Sequence, residues 1–254
     1  MVGPTRVNML IGRTLDVVDD YWARDLGCAR DQLRSPVPRV QAHAGGLEGY
    51  AGVFVLTVDP GAPVVSAPAE LARTLAPRAP RFTADAVSEP DVLRRLLEPV
   101  AVGPVIGPAY LSYADAGSFR APDLGNTRQL GVADRREFDA FRSRCDPADW
   151  DPKGFDLESK PTFGAFGERG DLLAVADFEL WAGRIAHLSV VAHPHARGQG
   201  HGARAVAAAA ARALDAGHVL QYRALRENRA SLRVAARLGF VRYGWSVAAR
   251  LAAE

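Results

Sequence analysis

Lysine is almost missing from this chain: Lys153 and Lys160 are the only two, and the remaining basic side chains are arginine. Cysteine is nearly as scarce. Cys28 and Cys145 lie far apart and form no CxxC pair, so no disulfide framework can hold 254 residues together, and reduced thiols in a cytoplasmic setting are expected. Charge of one sign is also lacking. Thirty-one Lys+Arg face twenty-nine Asp+Glu, a net charge of +2, far from the basic stripe that a phosphate backbone requires, so no nucleic-acid partner is expected. Long apolar runs are absent too. The best stretch, 203–214, is broken by Arg204 and Arg212 and falls short of the ~20 residues of a membrane span. Met1 to Asp20 carries Arg6 and Arg13 but no apolar segment leading to a small-residue cleavage site, so neither a membrane partner nor a leader is expected. No GxxxxGK[ST] occurs, which removes a nucleoside-triphosphatase loop.

What is present divides by texture. In the first half, residues 15–33 carry apolar side chains at helical spacing, and Val53 to Val58 is an apolar run closed by Asp59-Pro60-Gly61, a strand followed by a turn. Val64-Val65-Ser66, helices near 69–75 and 90–97, and a strand near 105–113 complete an α/β pattern. Gly, Pro and Asp then crowd residues 116–126, where the boundary is expected: one domain over 1–120 and a second over 126–254. The second domain predicts the order β-α-β-β-β-α-β-α-β. A strand at 128–132 comes first, then a helix capped by Asp134, and then a polar loop, 146–160, read as solvated and lying over an acceptor site. Strands at 162–166 and 172–180 flank the hairpin signal Glu168-Arg169-Gly170. A strand at 184–192, a glycine-rich turn, an alanine-rich helix at 200–216 that reads as core packing, a strand at 219–224, a helix at 230–238 and a strand at 240–251 follow.

The chemistry concentrates in Val190-Val191-Ala192-His193-Pro194-His195-Ala196-Arg197-Gly198-Gln199-Gly200-His201-Gly202. A strand, a bend and a glycine-rich turn lead directly into a helix. Glycines let backbone N–H groups approach a ligand without Cβ interference, and the unpaired N–H groups of the first helical turn point the same way, which makes an anion cradle suited to a pyrophosphate. Gly198-x-Gly200-x-x-Ala203 also fits the bare letters of a dinucleotide-binding fingerprint. Five residues separate it from its strand, however, the next strand ends Gln221-Tyr222-Arg223 without a carboxylate, and about fifty residues remain where several further βα units are needed.

These residues resemble the GNAT superfamily of acetyltransferases. Its [RQ]-x-x-G-x-[GA] signature stands here as Arg197-Gly198-Gln199-Gly200-His201-Gly202. A second signature, an Asn near a helix start followed by a terminal Leu-Gly-Phe, stands as Asn228-Arg229-Ala230-Ser231 through Leu238-Gly239-Phe240. The resemblance covers about residues 126–254. It implies a mixed, mostly antiparallel central sheet flanked by helices, preceded by a smaller α/β domain that some two-domain members build as a degenerate copy. It further implies acetyl-CoA as cosubstrate with no metal, an amine acceptor on a small molecule or peptide, and direct attack in a ternary complex. The backbone of Val190, Val191 and Ala192 would pair with the pantetheine arm, Arg197, Gly198, Gln199, Gly200, His201 and Gly202 would hold the pyrophosphate, and Asn228 and Ser231 would lie near the thioester. As a residue of the chain, Asn228 reads equally well as a helix cap.

The match departs at the reacting centre. Where many members carry a Tyr that protonates the leaving thiolate, this chain has Ala235; Tyr222 and Tyr243 are the nearby substitutes, and spacing selects neither. The strand positions that often hold a base are Ala186 and Leu188, both apolar. His187 falls on the other face under regular pairing, where a packed histidine is the plainer reading, unless a bulge turns it. Glu179 is a second candidate base. His193, His195 and His201 are unevenly spaced for zinc, and Asp146, Asp149 and Asp151 do not fit a calcium loop. Two functional readings stand: an N-acetyltransferase, or an acyl-CoA-binding module without catalysis. The first half is expected to hold no second cofactor site and to cover the acceptor cleft or form a homodimer contact.

Overall fold

The computed structural model describes residues 12–98, 100, 102–150 and 154–252. Part of the amino-terminal stretch read for a leader lies outside these residues, as do Asp151 and Lys153. The chain divides into two compact units, one drawn from 1–112, 224–228 and 242–254, the other from 113–223 and 229–241. The closing strand, expected with the second half, is thus grouped with the first, and the break falls at 112/113 rather than within 116–126.

In the first unit, α1 (Gly12–Leu26) turns Val17, Val18, Trp22 and Leu26 inward, the stripe expected from their spacing. Strands β1 (Arg39–Ala42), β2 (Gly52–Val58) and β3 (Val64–Ala67) follow, then helices α2 (Ala69–Leu75), α3 (Ala84–Ser88) and α4 (Pro90–Leu97), strand β4 (Val102–Ala114), and finally β10 (Val241–Leu251). The sheet order is β1-β3-β2-β10-β4. β2 is buried along its whole length because both of its faces are covered. Phe54 stacks on Trp22 of α1 at 5.4 Å, while Val53 and Val55 face Leu71, Leu75, Leu93 and Leu97 of the other helices. Fully burying each such leucine contributes roughly 1.5–3 kcal/mol. The one charged group sunk deeply into the α1 side, Asp19, takes both Arg34 guanidinium N–H groups, at 2.7 and 3.0 Å, and the Tyr243 hydroxyl at 2.7 Å.

The second unit contains β5 (Thr127–Gln129), α5 (Arg135–Arg142), β6 (Phe163–Phe166), β7 (Leu172–Trp181), β8 (Ile185–Ala192), α6 (His201–Asp215), β9 (Val219–Leu225) and α7 (Arg229–Arg237). Strand order β9-β8-β7-β6-β5 is antiparallel throughout except for the parallel pair β8/β9. This is the mixed, mostly antiparallel sheet that the sequence implies, with boundaries within about three residues of those expected. The alanines of α6 are core packing: Ala205, Ala207, Ala209, Ala210 and Ala213 are fully enclosed where the helix lies along β5 to β8. Phe138 and Phe141 of α5 form a second cluster with Val175, Val191 and Leu157. The polar loop after α5 is not the solvated cover that its composition suggests. Trp150 inserts edge-on among Phe138, Phe141 and Phe155, and Leu157 is buried, since three apolar anchors outweigh the loop's charged residues. The Leu238-Gly239-Phe240 signature has a steric cause. Gly239 ends α7 at φ +81°, and a Cβ there would lie 2.1 Å from the Ser118 carbonyl oxygen.

Candidate active site

The site begins where two ladders end at different places. β8 pairs with β7 over its full length, from Trp181↔Ile185 to Ala174↔Ala192. Its parallel ladder with β9 runs only from Ile185↔Val219 to Leu188↔Tyr222. From Ser189 to Ala192, the edge of β8 that faced β9 has no ladder partner, so its backbone groups can take an extended, amide-bearing ligand as an added strand.

The divergence opens toward the glycine turn. After β8, a single 3-10 turn (Pro194–Ala196) leads to Gly198 at φ +81° and Gly200 at φ +89°, backbone angles that a side chain disfavours. Gly200 is the N-cap of α6 and supplies no side-chain cap. Among the described residues, no protein acceptor meets the N–H groups of Gly198, Gly200, His201, Gly202 or Ala203. A Cβ on Gly198 or Gly200 would meet nothing within 4 Å, whereas one on Gly202 would lie 3.7 Å from Val190 Cγ2 and 3.8 Å from Ala192 Cβ. The uncapped helix start therefore stands over the end of β8, next to open space. The macrodipole of a 15-residue helix adds about half a positive charge there, typically worth ~0.3–1 kcal/mol to an anion.

Side chains around the loop are arranged less simply. The Arg197 guanidinium pairs with Asp149 at 2.6 Å, so its backbone belongs to the cradle while its charge is engaged elsewhere. Gln199 donates from Nε2 to the His195 carbonyl at 3.1 Å. His193 Nδ1 accepts the His195 N–H, and His193 Nε2 and His201 Nδ1 are buried without a protein partner. Burial holds both imidazoles below their usual pKa, with smaller contributions from Arg144 at His193 and from Arg204 at His201.

At the last rung of the β8/β9 ladder stands Tyr222. Its hydroxyl is shut off from solvent without a well-formed hydrogen bond, and burial raises its pKa, an effect that the neighbouring Ser231 side chain partly offsets. Tyr243, the other tyrosine near in sequence, is committed to Asp19 in the first unit. Ala235 is buried on α7. Asn228 precedes α7 and is grouped with the first unit; its N–H bonds the Leu225 carbonyl at 2.9 Å.

The two candidate bases are brought together. Glu179 and His187 are direct cross-strand partners, and regular pairing along β7/β8 leaves no bulge to turn His187 to the face of Val190 and Ala192. The His187 ring stacks on Trp181 at 4.3 Å, and its Nδ1 lies 2.7 Å from Gln221 Oε1. Gln221, fully buried, donates from Nε2 to the Tyr113 hydroxyl oxygen at 2.6 Å. Sequence reasoning missed Trp181, Gln221, Tyr113 and Asp149. A glutamine inside the otherwise apolar run Val219-Leu220-Gln221-Tyr222 was a usable signal, but its partner depends on register.

Residues 130–240 match the model of the Acetyltransferase (GNAT) family. This segment is a GNAT acetyltransferase domain. The GNAT reaction is acyl transfer from an acyl-CoA, which gives the open strand edge and the anion cradle a common ligand. Among solved structures the whole chain is similar to a GCN5-related N-acetyltransferase from Kribbella flavida, at 17% identity over 96% of this chain and 98% of that one, with a TM-score of 0.51, a likeness of fold. It is also similar to a GNAT-family acetyltransferase from Colwellia psychrerythraea (16% identity, 63% and 61% of the two chains, TM-score 0.47). A GCN5-related N-acetyltransferase-like protein from Streptococcus suis is similar too (14%, 64% and 67%, 0.45). The chain spans 61% and 67% of the length of these last two. No curated protein matches the sequence. Among the described residues, no helix is long and apolar enough to cross a membrane.

Proposed function

We propose that this chain transfers an acetyl group from acetyl-CoA to a primary amine on a small molecule or peptide, by direct attack within a ternary complex. The observation that carries the reading is the early end of the β8/β9 ladder at Leu188↔Tyr222, opening onto an uncapped helix start. In this proposal the free edge of Val190, Val191 and Ala192 pairs with the amides of the pantetheine arm. The N–H groups from Gly198 to Gly202 take the pyrophosphate, with Gln199 and His201 shaping the turn, and Arg197 joins them when it leaves Asp149. Asn228 and Ser231 are assigned to the cofactor end nearer the thioester.

The amine must be neutral to attack. With a pKa near ~10.4, deprotonating it at pH 7 costs about 4–5 kcal/mol, so a base contributes directly to rate. His187, with Glu179 opposite it, fills that role in this reading. The nitrogen forms the amide bond, the C–S bond breaks, and the sulfur leaves as a thiolate that Tyr222 is placed to protonate from the end of the ladder. A cytoplasmic location and a homodimer belong to the same proposal. Acetyl-CoA titration by calorimetry, with thiol release measured against an amine panel, tests it. Failure to bind acetyl-CoA would remove the reading entirely.

Ala235 on α7, and Ala186 and Leu188 on β8, favour a second reading, an acyl-CoA-binding or regulatory module without catalysis. Binding of acetyl-CoA with no acceptor-dependent thiol release for any amine would select it.

A further inference from the structure

His187, Gln221 and Tyr113 form a hydrogen-bonded row across one face of the second unit's sheet. Gln221 sits directly beside His187 in the parallel ladder, one rung before that ladder ends. A fully buried glutamine in an apolar strand is costly unless its amide is engaged, and here both ends are: Oε1 toward His187 Nδ1 at 2.7 Å, Nε2 toward the Tyr113 oxygen at 2.6 Å. A carbonyl oxygen can only accept, so the imidazole nitrogen facing it must carry the proton. We infer that Gln221, itself oriented by Tyr113, is a positioning residue that fixes His187 in its Nδ1–H tautomer and so makes Nε2 the acceptor nitrogen.

This rests on the acyl-transfer reading above and assigns a residue to it that neither the motif nor the family match contains. In the proton transfer, the substrate ammonium gives its proton to Nε2. The imidazolium keeps its Nδ1–H bond to Gln221, the freed amine attacks the thioester, and the proton then passes to solvent. Trp181, stacked on the ring, holds its plane. By strand alternation the other titratable groups on this face are Glu179 and Asp177 of β7 and Arg223 of β9.

The tautomer can be read without the reaction. Long-range 15N–1H spectra, with His187 assigned by its loss in His187→Asn, are expected to show a protonated Nδ1 and an unprotonated Nε2 at pH 8. Gln221→Met and Tyr113→Phe, both close in volume to the native residues, are expected to move His187 toward the Nε2–H form and to lower kcat/KM for amines about tenfold. Gln221→Glu, whose carboxylate still accepts from Nδ1, is expected to keep the tautomer and to move the acidic limb of the pH profile upward. A wild-type His187 found as Nε2–H overturns the inference. So do an unchanged tautomer and pH profile in both Gln221→Met and Tyr113→Phe. Absence of thiol release with every amine would instead defeat the acyl-transfer reading, while the spectra still decide whether Gln221 sets the tautomer.

Discussion

Two strand-to-helix passages, one in each unit, show what separates a site from a scaffold. In the first unit β3 is paired on both sides, with β1 from Arg39↔Val64 to Ala42↔Ala67 and with β2 from Leu56↔Val64 to Phe54↔Ser66. It enters the seven-residue α2 through Pro68, with no glycine. In the second unit β8 loses one neighbour after Leu188 and enters the fifteen-residue α6 through Gly198 and Gly200. Both passages satisfy the same packing rules. Only the second leaves backbone donors and a strand edge for a ligand, which is why one acetyl-CoA per chain is expected and a calorimetric stoichiometry of two would erase the distinction.

The largest effect expected within this comparison is at the tyrosines. Tyr222→Phe should lower kcat about a hundredfold with little change in acetyl-CoA affinity, a typical loss for a positioned acid. Tyr243→Phe should leave kcat alone and cost about 1–2 kcal/mol of stability in urea unfolding, because Asp19 loses a donor in a buried pair. An equal kcat loss in both variants would remove the reason for choosing Tyr222. Next comes Gly200→Val. At φ +89° a β-branched residue is strained and projects into the space beside the cradle, so the acetyl-CoA Kd should rise at least about tenfold, or ~1.4 kcal/mol, in a chain that stays folded by circular dichroism. A Kd within a factor of two of wild type would move the cofactor off this loop.

Smaller shifts sharpen the picture. Arg197→Ala should raise Kd only a few-fold, since backbone groups make most of the cradle, while Asp149→Asn should tighten binding about two- to threefold by freeing Arg197 from an exposed pair worth ~0–1 kcal/mol. Weaker binding in Asp149→Asn would show that the pair supports the loop rather than competing for it. Acid should act gradually. His193 and His201 are held below their ordinary pKa by burial, so their neutral forms favour the fold. That stability is present above about pH 6.5, the unperturbed value, and is lost as pH falls through the lowered folded pKa values. His43 in the first unit is shifted the same way, by burial, with its hydrogen bond to the Gly52 carbonyl opposing. Urea midpoints should therefore decline from pH 7 to pH 5, and less steeply in His193→Gln and His201→Gln. An unchanged slope in both would place the acid sensitivity elsewhere.

Much of this was legible in the residues. The helix and strand order of the second unit followed from periodicity, and the cradle from Gly198, Gly200 and Gly202 placed before an alanine-rich helix. The loop after α5 was not legible, because charge in its sequence concealed Trp150 and Leu157, and only the aromatic pocket they enter makes the segment pack. The final strand likewise reads as a continuation of its neighbours, yet Val247 and Ala249 pack with the first unit's helices.

The sequence by itself determined where backbone had to be bare, because a glycine's freedom and a helix's unmet N–H groups are local properties that follow from residue type and order. It also determined that the expected tyrosine is Ala235. Tertiary structure alone decided where the β8/β9 ladder stops, that Tyr222 rather than Tyr243 stands there, and that His187 meets Gln221 across 34 positions of chain. Those are matters of register, and register is set by which faces the whole sheet buries, a sum over many strands that no single segment records.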